Sequence, residues 1–502
     1  MLALPDNRVP TSELPSGLTK HLLSRHDSAQ ECDSLQRLSN ELHDAFEVAM
    51  QPERLQTIAQ ELQTEYAQKL QHSPVSMLPS YHQTLPSGLE SGSFVSIDVG
   101  GTNLRVAVID LNGRGSAQDD MCIKRICSFR IDAVVRRLRA LEFFDWIAER
   151  VDEVLGACHV SVVVSPEPIR MGLAWSFPIE QTSHRSGTLL QMGKGFTAAD
   201  GTQDQPLDLC ELITDACKRR GLEVQLQAIV NDASATLLAQ AYREPSTRFS
   251  LILGTGVNSA AFLPLRAVAP QKYASRSQMW REGGQNVIVN TELSMHGLHL
   301  WPMTRWDERL AAAHALPDFQ PLEQKVSGLY LGEIVRHVLV EAITSFGLFA
   351  GVMPSGLTEP YSLCTSVLAA FESDVSHDLD NARQAFIAAH AIHHEISTSD
   401  MYFVRSVCQL VSARAAAFVA TAVYALCRLA SEYRTEHQGA ILERVTIAGD
   451  GSVLEKYPGF LERCQQYIDA LSMASGCDGQ SITLAMVKES CVLGAAVAAA
   501  CE

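Results

Sequence analysis

Apolar and polar positions alternate along this chain in two different rhythms. From 28 to 71 the apolar residues Leu35, Leu38, Leu42, Phe46 and Val48 recur mostly every three or four places, which predicts helix until Pro74 and Pro79 interrupt it. From 93 to 135 the pattern becomes β-rich and predicts a meander, followed by an amphipathic helix over 138–156 (Leu141, Phe144, Trp146, Ile147, Val151) and strand-like runs at 160–165 and 171–178. A second β block, SLILGTGVNSAAFLPL at 250–265, repeats the first: strand, Gly-Thr-Gly turn, strand. Helices are predicted over 323–345, 379–396 and 402–432. A strand at 444–448, a Gly-Asp-Gly turn and a small-residue helix holding Gly494, Ala495 and Ala496 close the chain. Two sheet-plus-helix halves, each with a Gly/Thr turn, imply a duplicated α/β architecture with a cleft between the halves.

The sharpest local signal is SFVSIDVGGTNLRV at 93–106. A β-rich segment ends in Asp98, turns through Gly100, Gly101, Thr102 and Asn103, and resumes as strand. Two glycines let backbone N–H groups approach an anion closely, and the Thr102 hydroxyl adds a donor. Asp98 is a carboxylate placed to hold a phosphate-bound Mg²⁺ through water. This is a nucleotide-phosphate turn set in a hairpin; it lacks the GK[ST] that follows a strand-to-helix phosphate loop.

Charge narrows the partners. Lys plus Arg number 40 against 57 Asp plus Glu, a net charge of -17 over 502 residues, which disfavours nucleic acid and anionic membranes. An anionic substrate therefore requires a local cation or a metal ion. The 13 cysteines form no C-x-x-C pair, as expected for thiols in a reducing cytosol. No basic segment precedes an apolar run at the start, and the most apolar stretch, 415–426, is about twelve residues, too short for a bilayer. The expectation is a cytoplasmic protein with no membrane span. The cluster His390, His393, His394 and Glu395 lacks the H-E-x-x-H zinc arrangement, and His296 and His299 read as packing or surface residues.

In order along the chain stand MLPSY (77–81), SIDVGGTNLRV (96–106), WSFPIEQ (175–181), GKGF (193–196), IVNDASAT (229–236), LGTGVNSA (253–260), VNTE (289–292), KVSGLYLGEIVR (325–336), VSARAA (411–416) and GDGSV (449–453). This ordered set resembles the hexokinase family of the eukaryotic hexokinase and glucokinase type, from about 77 to 499. The resemblance implies a two-lobed, actin-like ATPase fold with sugar and ATP meeting in the cleft. The implied divisions are a flexible segment 1–27, a helix 28–77 on the large lobe, a small lobe 78–231, a large lobe 232–486, and a C-terminal helix 487–502 returning to the small lobe.

The resemblance also assigns roles. Asp232 is the general base for a sugar hydroxyl, and Lys194, between two glycines, is a catalytic cation that also reaches the sugar. Ser176, Asn231, Asn258, Glu292 and Glu323 complete the sugar contacts. Glu323 is placed only by the motif that starts two residues later. Gly100, Gly101, Thr102, Asn103, Gly254, Thr255, Gly256, Gly451 and Ser452 cradle ATP, and Asp98 holds Mg²⁺ through water.

The chain departs from the family pattern at four places. Gly193 replaces the threonine of TKGF, and Leu293 with Ser294 replaces the tryptophan and glycine of TEWG. Ala233-Ser234-Ala235 stands within NDASAT, and the C-terminal DGSGKGAA becomes Glu489-Ser490-Cys491-Val492-Leu493-Gly494-Ala495-Ala496. The first two changes predict a wider pocket, which favours N-acetylglucosamine over glucose, fructose or mannose. The last admits a different reading, a catalytically weak sugar sensor.

Overall fold

The predicted meander folds as three antiparallel strands, Ser91–Val99, Asn103–Asn112 and Met121–Arg130, and two further strands, Ile169–Trp175 and Val224–Val230, join in parallel on the other side of the first. The order across this sheet is third, second, first, fourth, fifth. The second half repeats it: Thr247–Leu253 is flanked by Ala260–Pro264 and Asn286–Asn290 antiparallel, and by Val445–Asp450 and Ile482–Met486 parallel. The same winding twice is the structural form of the duplication read from the two Gly/Thr turns. This computed structural model describes residues 26–157, 167–193, 195–200, 206–438, 444–476 and 481–502. The predicted strand at 160–165, Lys194 and the segment 1–25 lie outside the described residues.

Each central strand is buried on both faces, so its sequence reads as an apolar run rather than an alternation. In the first sheet one face packs on helices Ala140–Ala157 and Leu209–Arg219. The other face packs on the helix Ser490–Ala500, which packs in turn on Asp232–Arg243, and the latter lies against Thr247–Leu253, Ala260–Pro264, Asn286–Asn290 and Val445–Asp450 of the second sheet. These two helices thus form the layer between the lobes. They cross with no side chain between them: a Cβ at Gly494 would stand 1.9 Å from the Ala235 carbonyl oxygen. On the strand side, a Cβ at Gly172 would stand 2.0 Å from the Ala495 carbonyl oxygen.

Several predicted elements differ in extent. The single helix over 28–71 is two, His26–Ala49 and Pro52–His72, because Pro52 has no N–H to continue the first but suits the first turn of the second. Leu78–Pro79 pairs with Asn286–Asn290, so residue 78 belongs to the larger sheet and the smaller lobe's sheet starts at Ser91 instead. The helix over 323–345 breaks at Ser327 into Glu323–Val326 and Gly328–Phe346. The helix over 379–396 ends at Ala389; His390 is buried beneath its end, against the Phe386 ring, with Nδ1 3.2 Å from the Ser355 carbonyl oxygen. Thr398–Gln438 runs far beyond the twelve apolar residues noted above and is long and apolar enough to cross a bilayer, but that stretch is buried inside the larger lobe, packed on Pro52–His72 and Phe460–Ala474.

Candidate active site

The site is built at strand ends that face the interlobe layer. Asp98 lies one residue before the end of Ser91–Val99, Asp450 ends Val445–Asp450, and Asp232 opens the helix that follows Val224–Val230. Asn231 caps that helix: its Oδ1 accepts from the Ser234 N–H at 2.9 Å. Its Nδ2 is buried without a hydrogen-bond partner among the described residues, a donor that a sugar hydroxyl can satisfy. The Asp232 Oδ1 accepts from the Ala233 N–H at 2.7 Å, at the N-terminus of the helix.

A chain of side-chain amides lies on one side. The Asn258 Nδ2 donates to the Asn290 Oδ1 at 3.0 Å, and the Asn290 Nδ2 donates to the Glu292 Oε1 at 2.8 Å. Glu292 is held in the left-handed backbone region, φ 49°. Glu323 fills the space that the missing side chain of Gly256 leaves, and its Oε2 accepts from the Val257 N–H at 3.0 Å. Burial, with the charges of Asp232 and Glu323, pushes the Glu292 carboxyl up, against the hydrogen bond from Asn290. Asp232, Glu292 and Glu323 are therefore neighbours in space.

The Gly/Thr turns occupy the other side. Gly100 N–H donates to the Asn103 carbonyl at 3.1 Å, closing the turn that leaves Thr102 and Asn103 exposed. The Gly254 N–H bonds the Gly256 carbonyl at 2.9 Å around exposed Thr255. Gly451, φ 110°, lies so close to Leu253 that a Cβ would stand 2.3 Å from its carbonyl oxygen, which brings Ser452 beside Gly254. Ser176 is tied to the first turn's strand by its N–H to the Val99 carbonyl, 3.2 Å. Gly193 and Gly195, both at positive φ, flank position 194. Arg136 couples their loop to the phosphate turn: its guanidinium lies 5.7 Å from the Phe196 ring centre and donates to the Gly101 carbonyl at 2.9 Å.

Two models of the family described as "Hexokinase" match this chain, one over residues 40–242 and the other over 248–501. The chain belongs to the hexokinase family. Hexokinase-5 of Oryza sativa subsp. japonica is 30% identical over 398 residues, 78% of this chain and 74% of that protein. Hexokinase-1 of Saccharomyces cerevisiae is 27% identical over 430 residues, 85% of this chain and 84% of that protein. A solved hexokinase from Schistosoma mansoni, complexed with glucose, superposes with a TM-score of 0.74 at 28% identity, covering 93% of this chain and all of that one. The chain is thus a hexokinase-type sugar kinase with the two-lobed actin-like ATPase fold.

Hexokinase resemblance in the sequence did not single out everything the fold assembles. Ser490 Oγ bonds the Asp450 carboxylate and lies 2.7 Å from the Thr236 Oγ1, which donates to the Asp232 carbonyl at 3.0 Å. This relay ties the Gly-Asp-Gly turn to the first turn of the Asp232 helix. Ser490 lies in the departed C-terminal segment, where only the loss of family residues was visible. Asn290, Arg105 and Arg136 were also missed; the polar Asn290 two residues before Glu292 was the available signal. Leu293 is fully buried in the larger lobe's core, so its exchange for tryptophan changes packing behind the site rather than the pocket wall.

Asp98 sits among like charges. Burial, with Asp232, Asp450 and Glu489 nearby, pushes its carboxyl up to about 7, despite Arg105 at 3.7 Å. Arg105 is shared, with Nη1 3.2 Å from the Glu489 Oε2. Such an excess of carboxylate over cation fits a divalent ion accompanying a nucleotide. In metal-free protein the folded state keeps the Asp98 proton to about pH 7, whereas an ordinary aspartate releases it near 3.8. The folded state therefore binds more protons across that window, and this group's stabilisation is complete below 3.8 and lost as pH rises through 7. Asp98→Asn cannot ionise. Its melting temperature relative to wild type is expected to rise between about pH 5 and about pH 8. A difference that stays constant with pH counts against the assignment.

Proposed function

We propose that this hexokinase-family protein transfers the γ-phosphoryl group of ATP to the 6-hydroxyl of a hexose, with Asp232 as the base. The observation that carries the reading is the position of Asp232. Its charge bears both on Asp98, in the strand leading to the phosphate turn, and on Glu292, at the end of the Asn258–Asn290–Glu292 chain. A sugar hydroxyl is a weak nucleophile at neutral pH. A carboxylate in hydrogen-bond reach orients it and accepts its proton as the new P–O bond forms and the bond to ADP breaks. Asn231, Asn258, Glu292, Glu323 and Ser176 hold the remaining hydroxyls, and the family resemblance gives Lys194 the role of cation for the transferring phosphoryl group. Thr102, Thr255 and Ser452 donate to the nucleotide. Asp98 would hold, through water, a Mg²⁺ bound with ATP, and that ion would neutralise phosphate charge. Closure of the lobes on sugar excludes water that would otherwise hydrolyse ATP.

A second substrate reading, N-acetylglucosamine, keeps one of its two sequence supports. Among the described residues no atom lies within 4 Å of where a Cβ at exposed Gly193 would be, which leaves space beside position 194; Leu293 no longer contributes. Threonine at 193 would put a β-branched side chain at φ 67°, so the pocket is better probed with sugars than by refilling it. ADP release with Mg-ATP over glucose, fructose, mannose and N-acetylglucosamine is the test. Glucose is expected to exceed the acetamido sugar in kcat/KM by about tenfold or more, a difference of about 1.4 kcal/mol. The reverse ranking selects the N-acetylglucosamine kinase. No turnover with any sugar, alongside sugar-dependent melting shifts, selects a sensor. The ten described cysteines are all free thiols, which supports a reducing, cytoplasmic setting.

A further inference from the structure

We propose that His82, His184 and Glu502 form a second metal site, one that takes a Zn²⁺-class cation and fastens the two lobes together at the far end of the interlobe layer. The donor atoms of the three side chains lie within 4.8 Å of one another. The His184 Nδ1 is 2.7 Å from the Glu502 Oε1 and the His82 Nδ1 3.7 Å from the same oxygen. Among the described residues neither the His184 Nδ1 nor the His82 Nε2 has a partner in hydrogen-bond geometry, and the His82 ring also meets the Ile229 backbone. Two imidazoles therefore converge on one carboxylate, and neither makes a well-formed hydrogen bond to it. Two imidazoles and a carboxylate are a donor set suited to zinc, which binds such atoms at about 2.0–2.2 Å and leaves a fourth position to water. Bringing the donors onto one ion requires side-chain shifts of about 1 Å or less. Exposure of Glu502 and partial exposure of His184 leave a path from solvent.

The three residues come from three parts of the fold. The His82 carbonyl accepts from the Ile288 N–H at 2.9 Å, which fixes it to the larger sheet. The His184 carbonyl accepts from the Ile229 N–H at 2.7 Å, which fixes it to the smaller one. Glu502 follows the helix Ser490–Ala500 that lies between them. That helix has 11 residues, so the cluster lies about 16 Å from Ser490 and the acidic groups around Asp98, clear of the nucleotide. An ion ligated from both lobes holds them at one separation. Occupancy opposes the closure required for phosphoryl transfer.

Cobalt reports on the site directly. Co²⁺ titrated into the full-length protein is expected to give one equivalent of visible d–d absorption, without the intense near-ultraviolet band of thiolate ligation. His184→Ala and Glu502→Gln, neither in the catalytic machinery, are expected to weaken that binding by about 10–100-fold or more and to keep wild-type turnover without added metal. Absence of the bands, bands unchanged in both variants, or thiolate absorption overturns the site. One equivalent of Zn²⁺, with Mg-ATP in large excess, is expected to slow wild-type turnover about fivefold or more and to leave His184→Ala unaffected. Equal slowing of both proteins, or none, overturns the clamp. The cobalt measurement does not depend on which sugar is phosphorylated, so it stands or fails apart from the kinase reading.

Discussion

Asp232→Asn is expected to lower kcat by about 10²–10⁴-fold while sugar still shifts the melting temperature. The substitution keeps the side chain's size and an oxygen for the Ala233 N–H, so the start of the helix Asp232–Arg243 is preserved. What it removes is the only feature of that position that asparagine lacks, a negative charge able to accept the hydroxyl proton. Asp232 stands at a helix N-terminus, and its charge helps to push up the Asp98 and Glu292 carboxyls. Removing the Asp232 charge also relieves both of those groups, so the variant is expected to be at least as stable as wild type. Loss of turnover with unchanged or raised stability separates a catalytic role from a structural one. Retention of more than about a hundredth of wild-type kcat would falsify Asp232 as the base.

The sequence carried the topology because each half announces itself locally. The Gly-Gly-Thr and Gly-Thr-Gly turns each join two apolar β-rich runs, and hairpins of this kind are short-range features. What it did not carry are contacts that depend on register and distance. Leu78 and Pro79 read as a break after a helix, and only their pairing with Val289 and Asn290 assigns them to the larger sheet. Pro52 marked the end of the first helix in plain view, whereas Ser327 breaks a regular apolar periodicity and is explained only by packing. Gly328 N–H donates to the Gly254 carbonyl at 2.8 Å, so the chain must turn there to reach the phosphate turn. In the site, single residues were legible through motif resemblance, but their partnerships were not. Asn258 and Glu292 are 34 positions apart and are joined through Asn290, whose polar character was visible beside Glu292 but whose bridging follows only from side-chain geometry. Leu293 shows the opposite failure: adjacency to Glu292 suggested a pocket wall, yet neighbouring residues at a left-handed turn point in different directions, and Leu293 points into the core.

Gly494→Ala is expected to lower kcat by about 10²-fold and to destabilise the protein, although the same change in most helices is favourable. Alanine in place of glycine inside a helix contributes up to about 1 kcal/mol through propensity. Here the added Cβ would stand 1.9 Å from the Ala235 oxygen, 2.4 Å from its carbonyl carbon and 2.6 Å from its Cα. All three are backbone atoms of the helix Asp232–Arg243, so no rotamer change relieves the overlap. Ordinary contact begins near 3.5 Å, and the two helices must therefore part by roughly 1.5 Å. Overpacking of this kind costs about 1–3 kcal/mol, which exceeds the propensity gain. The helix Ser490–Ala500 has little freedom to retreat, because Gly172 presses on the Ala495 carbonyl from the sheet side. The displacement therefore falls on Ala235, three residues from Asp232, and a 1 Å error in the position of a reacting group is enough for about 10²-fold in rate. Gly156→Ala is the control. Gly156 lies near the end of the helix Ala140–Ala157 with no atom of the described residues within 4 Å of its added Cβ, so stability is expected to rise by a few tenths of a kcal/mol with turnover unchanged. Steady-state kinetics and thermal melts on both variants decide the matter. If Gly494→Ala behaves like Gly156→Ala, the two helices do not meet at backbone contact, and the base is positioned by something other than their crossing.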